Sequence, residues 1–412
     1  MQIIVVGAGV TGIACAHSLL KRGHKVTLIE SASSPNQGCS FGMAGFMGAL
    51  SIAMLCSPFK GKAGLASVFA KTRRLGWDMS LSHMKFLRSL ANSRSADKWK
   101  KDSQSLIDLA RYSVGLTEFE ARLQDISFEQ TYGLLRLYTN ETVWEEAHKE
   151  EEARKGGEWL DAEETRRLEN SIEVPDLLGS FYMPQELSGN GSYYSKQIQM
   201  LNIADPDLTM MYHTTVTKLI KGEDGKITGV ETDKGEISAD AVILSNNVGA
   251  KELLANVLDL PMAVVTGWTI TAAIQPVNAV PTHSLQFENK DILITRLGNR
   301  LRVCGRFWLG EVSKDVADKT IEELYQAACK LVPQSAVWTD TTNWSGQTLI
   351  HPDSLPSCGK TSLEGLYLNI CHGLNGWALS AGCGELLADV IEGKTPSVNP
   401  ELYSPERFAK KN

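Results

Sequence analysis

The spacing of apolar positions changes several times along the chain, and each change marks an element. Residues 2–30 read as strand, turn, helix, strand. "IIVVGAGVTG" opens on four apolar residues (Ile3 to Val6), "IACAHSLLKRG" has helical spacing, and "KVTLIE" is a second buried strand. Helical spacing returns at Leu106, Leu109, Ala110 and Leu116. The charge-rich stretch 143–168, "VWEEAHKEEEARKGGEWLDAEETRRL", predicts two solvated helices interrupted at Gly156–Gly157. After a helical "YYSKQIQML" the period drops to two. Turn signals at Glu223-Asp224-Gly225 and Asp233-Lys234-Gly235 predict a small antiparallel meander leading into a buried strand, Ala241 to Ser245. A β-rich block runs from Val264 to Trp308, with a turn at Gly298-Asn299, followed by a helix over Ile321 to Leu331. The closing stretch, "CHGLNGWALSAGCGELLADVI" (371–391), reads as a turn of small residues feeding an amphipathic helix. No repeat and no low-complexity linker separates these blocks, so the domains are expected to interleave.

With 412 residues the chain has room for two packed domains. A net charge of -7 with no basic stripe excludes a nucleic-acid binder. The eight cysteines form no CxxC pair and no metal-like spacing, which fits buried thiols in a reducing compartment, and no metal site is expected. Because Ile3 to Val6 already reads as a core strand, a targeting peptide is not expected and a cytoplasmic location is. Ser31 to Phe59 carries no charge, and Phe41 to Cys56 is nearly all apolar, too short to span a bilayer. One reading is a buried loop and helix against a cofactor. The other is a patch in peripheral contact with the inner membrane, next to Lys60, Lys62, Lys71, Arg73 and Arg74.

Chemistry enters at the glycines. Gly7-x-Gly9-x-x-Gly12 lies between a strand and a helix, and Glu30 ends the second strand eighteen residues beyond Gly12. The first glycine allows a tight turn, the second a close approach to a pyrophosphate, and the third close helix–strand packing. Helix N–H groups then face the phosphates, while Glu30 accepts from a ribose diol. This pattern does not separate NAD from FAD. A second glycine-rich helix start near the C-terminus favours FAD, a cofactor with two ends, since a helix N-terminus stabilises the charge that reduction builds on the flavin ring.

With both ends in view, the chain resembles the D-amino-acid oxidase superfamily, and within it the small-subunit type of bacterial D-amino-acid dehydrogenase. The likeness rests on Gly7, Gly9, Gly12 and Glu30, on "CSFGMAG", "GWTITAAI", "ITRLGNRLRVCG" and "HPDSLPSCG", and on "NICHGLNGWALSAGCGELLADVIEGKTP". It implies an α/β protein with a Rossmann-like FAD-binding domain (1–80, 190–260 and 340–412). Interleaved with it is an α+β substrate domain containing a mixed sheet (81–189 and 261–339). It also implies an FAD-dependent oxidoreductase with non-covalent FAD, acting on an amino acid or related amine. Hydride leaves the α-carbon for flavin N5, and the imine hydrolyses to a keto acid and ammonia. By the same resemblance, Gly7 to Gly12 (with Ala8, Val10 and Thr11), Glu30, Ser31 and Ser40 hold the nucleotide half, and Val216 meets the adenine. Ala44, Gly45, Gly373, Leu374, Asn375 and Gly376 belong to the flavin side, and Asn247, Gly346 and Trp377 are further cofactor-binding candidates.

Three departures stand out. The family's N-A-G asparagine is Met43, the glycine of its A-x-G motif is Asn247, and its G-L-R-P arginine is missing from Gly346-Gln347-Thr348-Leu349. That arginine clamps a substrate carboxylate through two parallel hydrogen bonds, which threonine does not reproduce. Either the anchor has moved, with Arg306 and His351 as candidates and Trp268 as a pocket wall, or the substrate is not an ordinary α-amino acid, or its carboxylate is bound differently. A glycine- or sarcosine-type oxidase using oxygen instead of a quinone or carrier is one alternative. An FAD-binding protein without amine oxidation is another.

Overall fold

The computed structural model describes residues 1–52, 54, 81–93, 95–275, 279–288, 291–310 and 312–409. Lys60, Lys62, Lys71, Arg73 and Arg74, on which the membrane-facing reading leans, lie outside the described residues. The described part of the apolar stretch packs inward, with Met47 and Ile52 buried in the core beneath α1 (Val10–Leu20).

In chain order the elements begin with β1 (Gln2–Val6), α1, β2 (Lys25–Ile29), α2 (Leu81–Asn92), α3 (Ala96–Leu123), β3 (Thr131–Tyr138), α4 (Glu141–Arg154) and β4 (Glu158–Asp161). Next come α5 (Ala162–Leu168), β5 (Gly179–Ser188), α6 (Gly191–Ile203), β6 (Leu208–Met211), β7 (Val216–Lys221), β8 (Ile227–Thr232), β9 (Gly235–Ser238), β10 (Ala241–Leu244) and α7 (Val248–Leu254). The chain closes with β11 (Ala263–Ile274), β12 (Ser284–Phe287), β13 (Ile292–Leu297), β14 (Arg300–Leu309), α8 (Lys314–Leu331), β15 (Ala336–Ile350), β16 (Ser357–Lys360), β17 (Leu366–Ile370) and α9 (Gly376–Glu392).

Two large sheets organise them. The first runs β16-β17-β10-β1-β2-β6, parallel except for the β16 edge. Strands buried on both faces need apolar residues at every position, and β1 and β10 supply them: Ile3 to Val6 and Ala241 to Leu244 are all buried. One face takes α1, α3, α6 and α9, and the other takes the β7-β8-β9 meander and α7. Leu379, Leu386 and Leu387 of α9 are fully buried, each contributing about 1.5–3 kcal/mol. Gly384 lets α9 approach α1, because a Cβ there would stand 2.9 Å from the Ala14 carbonyl oxygen.

The second sheet is mixed, in the order β15-β11-β14-β13-β12-β3-β5-β4. One face packs on α8 through Leu285, Ile294, Val303 and Leu324, leaving the other toward the first sheet. This arrangement is the α/β fold with an added mixed sheet that the sequence implies. Three local expectations change. Between the helices of 143–168 lies strand β4, paired with the edge of β5. Strand β15, most of which the sequence reading puts with the nucleotide segments, pairs with β11. Helix α3, expected on the substrate side, packs its Leu106, Leu109 and Ala110 into the core under α1 and α9.

Candidate active site

A cavity of about 1690 Å³ runs between the two sheets. Among the helix N-termini that open onto it are those of α1, behind Gly9, and α9, behind the Gly373–Asn375 turn. Neither cap residue makes a side-chain cap hydrogen bond, although Ser40 Oγ takes the Val10 N–H of α1; helix N-termini favour an anion or a developing negative charge. Two such ends on one cavity suit a cofactor with a pyrophosphate at one end and a flavin ring at the other. The residues present therefore fit FAD.

The glycines divide by task. Gly7 has φ +101°, and a Cβ there would meet the backbone of Asn246. At Gly12 a Cβ would overlap the Gly7 carbonyl oxygen. Gly9 lines the cavity with room beside it, Ser40 Oγ being the nearest atom to an added Cβ. Ser40 Oγ accepts the Val10 N–H at 3.1 Å, standing where a phosphate oxygen would. Glu30 accepts from the N–H groups of Ala8 (2.7 Å) and Ala32 (2.9 Å), and its remaining lone pairs face the cavity. The two helix starts are joined along the cavity wall. Asn369 Nδ2 donates to the Thr11 carbonyl (3.2 Å) and its Oδ1 pairs with His372 Nε2 (3.0 Å). His372 thus shapes the loop before α9.

Gly7, Gly9, Val10, Thr11, Ser31, Ala44, Gly45, Val216, Asn247, Gly346, Leu374 and Trp377 line the cavity. Ala8 and Gly12 do not; they serve it through the Glu30 bond and through helix packing. Asn247, in the glycine's place, has φ +49° and ψ -116°. Its Nδ2 donates to the Gln347 carbonyl (2.9 Å) and its Oδ1 accepts from Leu349 N (2.8 Å). The side chain therefore pins β15 where the arginine is missing, and Thr348 completes the tie by donating to the Gly373 carbonyl at 3.2 Å.

The expected anchors move. Arg306 does not line the cavity. A β-bulge puts both Arg306 and Phe307 opposite Gly267, and Phe307 is the one on the cavity wall. Trp268 touches the cavity but is packed with Ile270 and Leu301, its Nε1 without a hydrogen-bond partner among the described residues. His351 is fully buried away from the cavity. Its Nδ1–H donates to the Pro261 carbonyl (2.8 Å), so Nε2 accepts from Ser357 Oγ (2.7 Å). Burial, reinforced by Arg407, pushes its pKa down from 6.5 to about 3. A group kept neutral in the fold favours unfolding once it protonates. Its contribution is complete above about pH 6.5 and is lost toward pH 3, at about 1.4 kcal/mol per pH unit. His351→Gln is expected to flatten the fall in urea midpoint between pH 7 and 5; an unchanged slope would contradict the buried neutral assignment.

Sequence reasoning missed Arg136 and Glu151, which line the cavity's far end. A lone arginine inside the apolar run "GLLRLY" was the available signal.

This chain matches the FAD dependent oxidoreductase (DAO) family over residues 2–390. A D-amino acid dehydrogenase of Cereibacter sphaeroides is 28% identical over 419 residues, spanning 99% of this chain and 96% of the relative. Among solved structures, glycine oxidase from Geobacillus kaustophilus superposes with a TM-score of 0.77 at 22% identity, covering 99% of this chain and 100% of that one. L-proline dehydrogenase from P. horikoshii gives 0.73 at 19% identity, covering 99% and 97%. These structures share the fold, and the family match spans nearly the whole chain: the protein belongs to the FAD dependent oxidoreductase family.

Proposed function

We propose that the protein oxidises the carbon–nitrogen bond of an amine or amino acid whose carboxylate, if it has one, is not held by an arginine at position 348. The supporting observation is the pair of helix N-termini on one cavity, beside a strand where Asn247 and Thr348 occupy the clamp's place. When bound, FAD supplies the hydride acceptor, ring atom N5. In this reading Gly9, Val10 and Thr11 present backbone N–H groups to the pyrophosphate, Glu30 takes the ribose, and Val216 borders the adenine. Ala44 and Gly45, with Gly373 to Gly376, border the ring and exclude water from it. The domain division follows with two changes: β15 joins the substrate part and α3 the FAD part.

Anaerobic mixing of the holoenzyme with D- and L-amino acids and simple amines tests this. At least one is expected to bleach the flavin absorbance. If none does, the amine reading fails. Oxygen uptake measured against dye reduction then identifies the acceptor.

A further inference from the structure

The cavity extends well past the flavin end. Its floor is one face of the mixed sheet, crossed by a row of register partners: Trp344, Thr269, Cys304, Leu293, Gln286 and Arg136. All six line the cavity. Loop residues expected beside the flavin lie over the middle of the row, where Thr295 of β13 bonds the Ala44 carbonyl and Arg302 of β14 reaches the Met43 carbonyl at 3.2 Å. Arg136 is two strands beyond Leu293, about 10 Å away at ordinary strand spacing.

Helix α4 lies over β3 and closes this far end. Arg136 and Glu151 are each only 3% exposed and are paired through Nη1 and Oε1. Arg136 Nη2 donates to the Leu50 carbonyl at 2.8 Å, and its Nε lies 3.8 Å from Glu288 Oε1. Arginine–carboxylate pairs frequently close through two parallel bonds. This one does not: Glu151 Oε2, Arg136 Nε and the neighbouring Gln286 Oε1 have no hydrogen-bond partner among the described residues. Two are acceptors, and all belong to side chains on the cavity wall. Leaving such atoms dry is costly. The two open acceptors, Glu151 Oε2 and Gln286 Oε1, suit a donor such as an ammonium, whereas a substrate carboxylate would have to compete with Glu151 for Arg136.

We propose that this chamber binds a cationic group at the distal end of the substrate. The substrate class is then an amine or amino acid with a second ammonium or guanidinium, on a side chain the length of lysine's or arginine's. The proposal rests on the amine-oxidising reading above. It also accounts for a clamp that is absent: orientation comes from the far end.

Matched pairs test it. Holoenzyme is mixed anaerobically with lysine against norleucine and arginine against citrulline, in both chiralities, and kcat/KM for flavin bleaching is compared. The charged member is expected to be preferred by about 10- to 100-fold, the range of a charge-assisted hydrogen bond. Glu151→Gln narrows that ratio about tenfold, mainly through KM, and Glu288→Gln serves if the first variant does not fold. Neutral members used as well as charged ones by the wild type would overturn the chamber while leaving amine oxidation standing. So would a ratio that both variants leave at its wild-type value. Bleaching by no amine at all sinks the parent reading and this inference with it.

Discussion

Gly12→Ala is expected to purify largely free of flavin and to lose about 2–3 kcal/mol of stability. The added methyl would fall inside the Gly7 carbonyl oxygen, and both partners are backbone, one in the turn after β1 and one in the first turn of α1. No rotamer change relieves that overlap, so the helix start must lift off the strand, at the cost typical of overpacking. The same lift moves the N–H groups of Val10 and Thr11 from the pyrophosphate, which weakens FAD binding by about 10- to 100-fold at 1.4 kcal/mol per decade. Flavin absorbance per protein after gel filtration reads the second effect, and thermal unfolding of the flavin-free protein reads the first. Gly115→Ala is the control. It lies exposed within α3 with nothing within 4 Å of an added Cβ, so removing glycine there stabilises the helix by up to about 1 kcal/mol. Gly12→Ala protein that keeps full flavin would show that the close packing is not required.

The parts of this fold legible in the sequence are those where local pattern and tertiary role agree. Strand β1, α1 and β2 are written in a continuous apolar run, a glycine turn and a helical stripe, and each is buried as that pattern demands. The meander and the Gly298 hairpin carry their own turn residues. Strand β4 was invisible because "EWLD" is short and charged, and only its pairing with β5 makes it a strand. The C-terminal glycines were read as one feature but divide in space. Gly373 and Gly376 face the cavity, whereas Gly382 and Gly384 admit Ser113 of α3 and Ala14 of α1.

The site was legible at its nucleotide end for the same reason, since Gly7 to Glu30 is one local unit. The substrate end is assembled from distant strands, and single-residue geometry decides it. One bulge in β14 replaces Arg306 by Phe307 on the cavity wall. His351 sits beside the missing arginine in sequence, yet its ring points into the core between Pro261 and Ser357. Glu151 lay hidden in a charge run that reads as wet surface until β3 and α4 meet.

Arg136→Met is expected to destabilise the protein by about 3–5 kcal/mol, the largest effect of any single side-chain truncation around the cavity. The change removes the one arginine among the described cavity-lining residues and leaves Glu151, 3% exposed, without its cationic partner. Breaking a buried pair on one side costs more than removing both partners, because the surviving charge stays desolvated. The double variant Arg136→Met with Glu151→Leu is therefore expected to recover most of the loss, a coupling of at least about 2 kcal/mol by double-mutant cycle. Urea unfolding at neutral pH of the wild type, both single variants and the double variant measures it. Strong coupling would mean that the chamber holds its charges away from bulk water, which is the condition under which a distal cation can be recognised strongly. Losses that simply add, or an Arg136→Met deficit below about 1 kcal/mol, would place the pair in contact with solvent. In that case screening would leave a lysine or arginine side chain little to gain by reaching it.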